Sequence, residues 1–195
     1  MLTGFVRHYA LSRNILDIPG PRSSHSVPTP RGGGIGFVSV FLCGLFLLRY
    51  LYPEFSDVWM ALSGGAIVAI FGWWDDCRNL TVHVRLAAHA VAALWAIYQL
   101  GGFSQLGLGI TVIKLGILGP FLAWFAIVWC INLYNFMDGI DGLAAGEALM
   151  IGGFAGAFAF IKGALPLAVA CWLLAASVSG FLVWNWPPAK VFMGD

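Results

Sequence analysis

Charge is scarce in this chain: of 195 residues, 10 are Lys or Arg and 9 are Asp or Glu. Soluble domains carry roughly 25% charged and roughly 45–50% apolar residues, whereas here 10% are charged, 60% hydrophobic and 15% aromatic. That excludes an ordinary water-soluble domain. A formal net charge of +1 leaves no basic stripe of the kind nucleic acid requires, so no nucleic-acid partner is expected. Cysteine is nearly as scarce. Cys43, Cys77, Cys130 and Cys171 are widely spaced, and three of them sit in apolar runs where a thiol behaves as a small hydrophobe. This pattern excludes a disulfide framework and a zinc ribbon. Met1 to Ala10 contains Arg7 and His8 and no apolar core suited to a signal peptide, so insertion is expected to rest on internal segments.

What is present is a series of apolar runs. A membrane helix takes roughly 20 mostly apolar residues. Five or six stretches qualify: Ile35 to Tyr52, Val58 to Trp74, Leu86 to Leu100, Leu118 to Met137, Leu143 to Ile161 and Leu165 to Asn185. The third is short and carries His89. Between the third and fourth, residues 101–116 alternate glycine with Leu106, Leu108, Ile110 and Val112, a pattern that reads as a short extracytoplasmic β-hairpin or as a plain loop. The fold class expected is therefore an all-α polytopic membrane protein of about six transmembrane helices, a single transmembrane domain over residues 1–195.

Basic residues in short loops stay on the cytoplasmic side. Arg7, Arg13, Arg22, Arg31, Arg78, Arg85 and Lys190 fall on one side of the alternating loops, and only Arg49, Lys114 and Lys162 on the other. The first side is thus expected to be cytoplasmic. Asp17, Asp75, Asp76, Asp138, Asp141 and Asp195 join the bases there, whereas Glu147 lies within a span. A loop that merely obeys the positive-inside bias has no need of acids, so a charged ligand is expected at this face, with solvated helix caps as the plainer alternative.

Four constellations carry the chemistry. Gly72-Trp73-Trp74-Asp75-Asp76 ends the second span, followed by Arg78 and Arg85. Adjacent carboxylates raise one another's cost of ionisation unless something compensates, which suggests Mg²⁺, an arginine or a proton-accepting role. Next, Asn132, Asn135, Asp138 and Asp141 recur in steps of three along one drifting stripe of a helix. They are oxygen ligands of the kind that Mg²⁺ or the hydrogen-bonding edge of a nucleotide takes. Third, Val191-Phe-Met-Gly-Asp195 returns a further acid to the same face. Last, the loop from Asp17 to Gly34 holds four prolines and four glycines, which forbid a helix. Its Arg22, His25 and Arg31, with the glycine run, can present cations and backbone N–H groups to phosphate, or form a flexible basic loop. His83 and His89 are assigned no role. Trp73, Trp74 and Phe136 read as ordinary interface aromatics.

In this order, D-I-P-G-P-R-S-S-H-S-V-P-T-P-R-G-G-G, W-D-D, N-L-Y-N-F-M-D-G-I-D-G-L-A and P-P-A-K-V-F-M-G-D closely resemble the polyprenyl-phosphate N-acetylhexosamine-1-phosphate transferases, over nearly the whole chain. These are bacterial inner-membrane enzymes that start O-antigen and related cell-envelope polymers, with the proline loop pointing to the O-antigen-type branch. The resemblance implies transfer of a sugar 1-phosphate from a UDP-N-acetylhexosamine to undecaprenyl phosphate, with release of UMP. It implies Mg²⁺ as cofactor, with Mn²⁺ as a substitute, and an active site on the cytoplasmic face. By the same resemblance, Asn135 and Asp195 match metal positions, and Asp75 and Asp76 match a catalytic acid pair. Asp138 and Asp141 face the nucleotide, Asp141 on the uracil side, and Arg85 lies near the phosphates. Asn132, Arg31 and His25 are expected in substrate binding.

The family begins with a full membrane helix where this chain has a stub up to Ala10, and it continues past M-G-D with further helices and a histidine-containing loop. The expectation is an N-terminal part of the family domain. The alternatives are a catalytically incompetent truncated relative and a cation-coupled transporter. The alcohol phosphotransferases acting on CDP-linked lipids are disfavoured because D-G-I-D-G-L-A lacks their arginine. A homodimer is compatible with the sequence, which isolates no interface.

Overall fold

The apolar runs fold as helices, and glycine, proline and asparagine punctuate them. The computed structural model describes residues 2–19, 27–108 and 111–194. Helix α1 (Leu2–Ser12) lies against α2 (Gly34–Leu51) and α8 (Leu165–Asn185). Between α1 and α2 a two-residue ribbon pairs β1 (Leu16–Asp17) with β2 (Thr29–Pro30), Leu16 opposite Pro30 and Asp17 opposite Thr29. The remaining helices are α3 (Ser56–Leu62), α4 (Gly65–Arg78), α5 (Val82–Leu100), α6 (Leu118–Met137) and α7 (Leu143–Ile161). The hairpin expected near 101–116 is present as β3 (Gln105–Leu108) paired antiparallel with β4 (Thr111–Lys114).

Five helical stretches are long and apolar enough to cross a membrane: Gly34–Leu51, Pro53–Arg78, Leu118–Met137, Leu143–Ile161 and Leu165–Asn185. The chain is a polytopic, all-α membrane protein with a short hairpin. The stretch at Leu86–Leu100 belongs to a complete helix, α5, but His83, Arg85, His89 and Gln99 keep it outside that apolar set. Helices suit the bilayer because they satisfy their own backbone groups, leaving only side chains to face lipid. Phe154, Phe158 and Ile161 on α7 accordingly stand exposed.

The second span is broken, which its hydropathy does not announce. The Met60 carbonyl accepts from Ser63 Oγ at 2.8 Å and from Trp95 Nε1 of α5 at 2.9 Å. These bonds divert it from the helical ladder, and α3 stops at Leu62. Gly64 then lets the indole in, because a Cβ there would lie 2.9 Å from Trp95 Cδ1.

The tightest packing joins α7 to α8 through small residues, as helix pairs in membranes commonly do. Gly152 sits against the Cys171 carbonyl and Ala175, and Gly156 against the Trp172 indole. The buried core continues with Phe37, Ala145, Val178, Phe181 and Val191. Helix α6 differs: 6% of its span is buried, against 33% for α8. It therefore stands partly apart, and the space it leaves is part of the site.

Candidate active site

Asp75 and Asp76 occupy the last turn of α4, where the helix dipole disfavours anions. Both are buried, at 4% and 5% exposure, so compensation must come from neighbours. Asn79, in the left-handed conformation at φ 48°, ends α4 and turns the chain into α5 within three residues. That turn brings the Leu80 N–H onto Asp75 Oδ1 and Arg85 NH1 to 3.1 Å from Asp75 Oδ2. Arg31 serves the second acid. Its Nε lies 3.5 Å from Asp76 Oδ1, while its NH2 donates to the Asp76 carbonyl at 3.1 Å and to Asn79 Oδ1 at 2.9 Å. A cation on the last carbonyls of a helix is the arrangement the dipole favours.

The segment after α8 threads between two walls. On one side the Phe192 N–H donates to the Pro30 carbonyl at 2.8 Å, and the amides of Gly33 and Gly34 donate to Phe192 and Met193 at 2.9 and 2.7 Å. These glycine amides, expected to be available to phosphate, are therefore occupied by the chain itself. A Cβ on Gly33 would lie 2.8 Å from Phe181 Cε2 and 2.9 Å from Val191 Cγ2, so only glycine allows the approach.

On the other side stands the turn after α6. The stripe expected from Asn132 to Asp141 holds only as far as Asp138, because α6 ends at Met137 and Gly142, at φ 72°, opens α7. Asp138 Oδ2 accepts the Gly194 N–H at 3.1 Å, and Asp141 Oδ2 accepts that of Ala189 at 2.9 Å. Asp141 Oδ1 is buried without a hydrogen-bond partner. Asn185, 1% exposed, ties both sides together. Its Oδ1 accepts from Gly142 N at 3.0 Å, and its Nδ2 donates to the Val191 carbonyl at 3.1 Å.

These walls enclose two cavities. A polar cleft of about 250 Å³ is bordered by Asp17, Arg31, Phe136 and Phe192. A larger chamber of about 580 Å³ runs into the bundle between α2, α4, α5 and α6, past Phe37, Phe41, Val68, Ala92 and Ile131. Asp76, Asn135, Asp138 and Gly194 border both cavities and so form a shared wall.

Of the residues expected in the site, Arg31, Asp76, Asn135 and Asp138 are thus brought together, with Asp75 and Arg85 paired directly behind Asp76. Asn132 borders neither cavity, and its Nδ2 donates to the Val128 carbonyl one turn back at 2.7 Å. Asp141 also lies outside both cavity walls. Arg22, His25 and Asp195 lie outside the described residues. Sequence reasoning missed Asp17, Asn185 and His89. Asp17 was signalled as the first residue of the proline-loop motif, and Asn185 as a lone amide closing an apolar span.

Among the described residues no three His, Cys, Asp or Glu side chains converge as a metal cluster. The donors nevertheless suit Mg²⁺, which binds hard oxygen and needs only one or two carboxylates beside phosphate and water. Gly194 is the cradle: at φ +90° its missing Cβ leaves room for the Asp76 carboxylate, whose Cγ would lie 2.8 Å from a side-chain carbon there.

Comparison with known proteins identifies the family. The phospho-N-acetylmuramoyl-pentapeptide-transferase of Listeria monocytogenes serotype 4b (strain CLIP80459) is 30% identical over 182 residues, 86% of this chain and 56% of the relative. That of Lactiplantibacillus plantarum is 28% identical over 183 residues, again 86% and 56%. The undecaprenyl-phosphate alpha-N-acetylglucosaminyl 1-phosphate transferase of Escherichia coli (strain K12) is 29% identical over 198 residues, 98% of this chain and 53% of the relative. The chain spans about half the length of the curated relatives it matches. The model of glycosyl transferase family 4 matches residues 58–195, a stretch that contains the acid pair, the turn after α6 and the segment after α8, and on this match the chain belongs to that family.

Proposed function

We propose that the protein transfers an N-acetylhexosamine 1-phosphate from a UDP-sugar to undecaprenyl phosphate, releasing UMP, as the first step of O-antigen or related envelope polysaccharide synthesis at the bacterial inner membrane. One observation carries this reading: the same four residues, Asp76, Asn135, Asp138 and Gly194, wall both a polar cleft and an apolar chamber. A water-soluble nucleotide sugar and a lipid phosphate can each reach that wall from its own side. The names of the relatives, which couple a phospho-sugar or undecaprenyl phosphate to transferase activity, support the same reading.

In the reaction an oxygen of the lipid phosphate attacks the sugar-bearing phosphorus. A bond forms there as the bond to the bridging oxygen breaks, and UMP departs with that oxygen. A phosphomonoester is largely ionised near neutral pH, since its second pKa is about 6, so the acids need not act as strong bases. Their work is to position charge. Mg²⁺ would be held by Asp76, Asn135, Asp138 and Asp195, with Mn²⁺ as a substitute, and when bound it neutralises phosphate oxygens as the anions meet. Asp75, held by Arg85 and the Leu80 amide, keeps Asp76 turned to the wall. Arg31, which borders the cleft and is ion-paired with Asp76 through its Nε, brings its positive charge to a nucleotide phosphate there. Asp141, which borders neither cavity, is assigned the uracil side by the family resemblance alone, with its unbonded Oδ1 as the acceptor.

The test is UMP release by membranes containing the protein, given undecaprenyl phosphate and a panel of UDP-N-acetylhexosamines, with and without Mg²⁺. Release that requires both the lipid phosphate and the cation supports the reading. Release without lipid, or none with any sugar, overturns it.

A further inference from the structure

The chamber reaches far past the carboxylate wall. Asp76 borders it towards one end of α4 and Gly65 at the other, eleven residues apart on a single helix, a rise of about 16 Å. Apolar side chains line that distance, among them Phe41, Leu42, Val68, Ala69 and Ile127. A packed interior leaves few voids larger than a water molecule, so an apolar space of about 580 Å³ calls for an occupant that is itself apolar along its length. Because Asp76, Asn135 and Asp138 wall one end, the head of that occupant is a group that a cation can bridge to carboxylates, as a lipid phosphate is.

The far end is the break in the second span. Of the described residues that line the chamber, Leu62, Gly65 and Cys130 are exposed, and the first two flank the break. Freed backbone groups at such a break must be satisfied inside a bilayer. The Met60 carbonyl has the Trp95 indole, which also lies 3.0 Å from Ser63 Oγ, so that carbonyl is not presented bare to a hydrocarbon chain. At Gly65 itself a Cβ would meet nothing within 4 Å. The missing side chain leaves a gap in the rim of the chamber.

We propose that the chain of the lipid acceptor runs along the chamber from the shared wall to the break, and leaves the bundle for the bilayer through the gap at Gly65. The acceptor this selects is a polyprenyl phosphate long enough to pass the gap, and Gly65 is the residue that admits it. The assignment rests on the transferase reading and adds to it the path of the lipid.

Turnover with geranyl phosphate and with undecaprenyl phosphate tests the gap. The eight-carbon main chain of a geranyl group has seven bonds of about 1.5 Å, so even stretched it ends short of Gly65, whereas an undecaprenyl chain must pass it. Gly65→Phe should raise KM for undecaprenyl phosphate about tenfold or more, the loss of about two buried methylene groups, and move that for geranyl phosphate by less than about twofold. Gly65→Leu makes the same block with a strong helix former in the first turn of α4, should the phenylalanine variant not fold. Equal shifts for both acceptors, or none in either variant, overturn the path.

Photolabelling tests the path without turnover. Undecaprenyl phosphate carrying a diazirine on its third isoprene unit, added to the protein in phosphatidylcholine nanodiscs, should label residues 62–65. Unlabelled undecaprenyl phosphate should suppress the label, and phosphatidylglycerol at the same concentration should not. Label confined to α6, where Cys130 is the other exposed residue of the lining, overturns the path, as does label that phosphatidylglycerol suppresses equally. Competed label at the break without UMP release by the wild type would remove the transfer reaction and leave the path in place.

Discussion

The Gly194 N–H donates to Asp138 Oδ2 across 3.1 Å, joining positions 56 residues apart in the chain. The same glycine abuts the Asp76 carboxylate and holds φ at +90°. One residue therefore fixes the separation of two acids, one in the last turn of α4 and one just past the end of α6.

Gly194→Ala should on this account disable the site while the bundle stays folded. The new methyl would overlap Asp76, and a side chain at this φ costs about 1–3 kcal/mol of strain. Displacement of reacting groups by about 1 Å can cost roughly 100-fold in rate, so UMP release should fall by about that factor. Near-normal turnover by a monodisperse variant would show that Gly194 does not set the wall.

The Asp75–Arg85 pair makes a separable prediction about stability. Fully buried pairs lose roughly 3–5 kcal/mol when one partner is removed, but the Arg85 side chain is 32% exposed. Solvent screening reduces the expectation for Arg85→Ala to about 1–2 kcal/mol. It should appear as a lower thermal midpoint in detergent. Asp75→Asn, which needs no counter-charge, should recover most of that loss when combined with Arg85→Ala, and simple additivity of the two effects would refute the coupling.

The sequence made the helices legible because the bilayer forces apolar residues into uninterrupted runs: α6, α7 and α8 occupy the stretches expected from hydropathy alone. It showed the acids too, since charge in so apolar a chain stands out. What stayed hidden was connection. The break at Ser63–Gly64 depends on a Trp95 indole one helix away. Asp141 leaves the stripe because the turn after Met137 belongs to Gly139 and Gly142 rather than to the helix. No local pattern reports that the glycine amides of residues 33 and 34 are taken by a segment some 160 residues later.

Asn185 was likewise invisible as a tie between the turn after α6 and the segment after α8. Asn185→Leu keeps the volume but leaves the buried Val191 carbonyl and the half-buried Gly142 amide without these partners, at about 1–3 kcal/mol for the buried carbonyl and less for the amide. A lower thermal midpoint is expected, together with faster proteolysis around Pro187 to Lys190, where the segment would come loose. Protection equal to the wild type would show that backbone bonds alone hold the segment.

Asp141 separates two duties within one carboxylate. Oδ2 holds the Ala189 amide, and Oδ1 is buried without a hydrogen-bond partner, so it has acceptor capacity that the fold does not use. Asp141→Asn retains an oxygen for Ala189 but replaces the second acceptor with an NH2 donor. The protein should therefore keep its thermal midpoint, while KM for the UDP-sugar rises about tenfold or more. The KM for undecaprenyl phosphate should not move, because that substrate reaches the wall from the chamber. Were both KM values to rise together with a loss of thermal stability, Asp141 would be a structural anchor for Ala189 and nothing further. A rise confined to the nucleotide would place the uracil beside the turn at Gly139–Gly142, on the side of the wall away from the lipid.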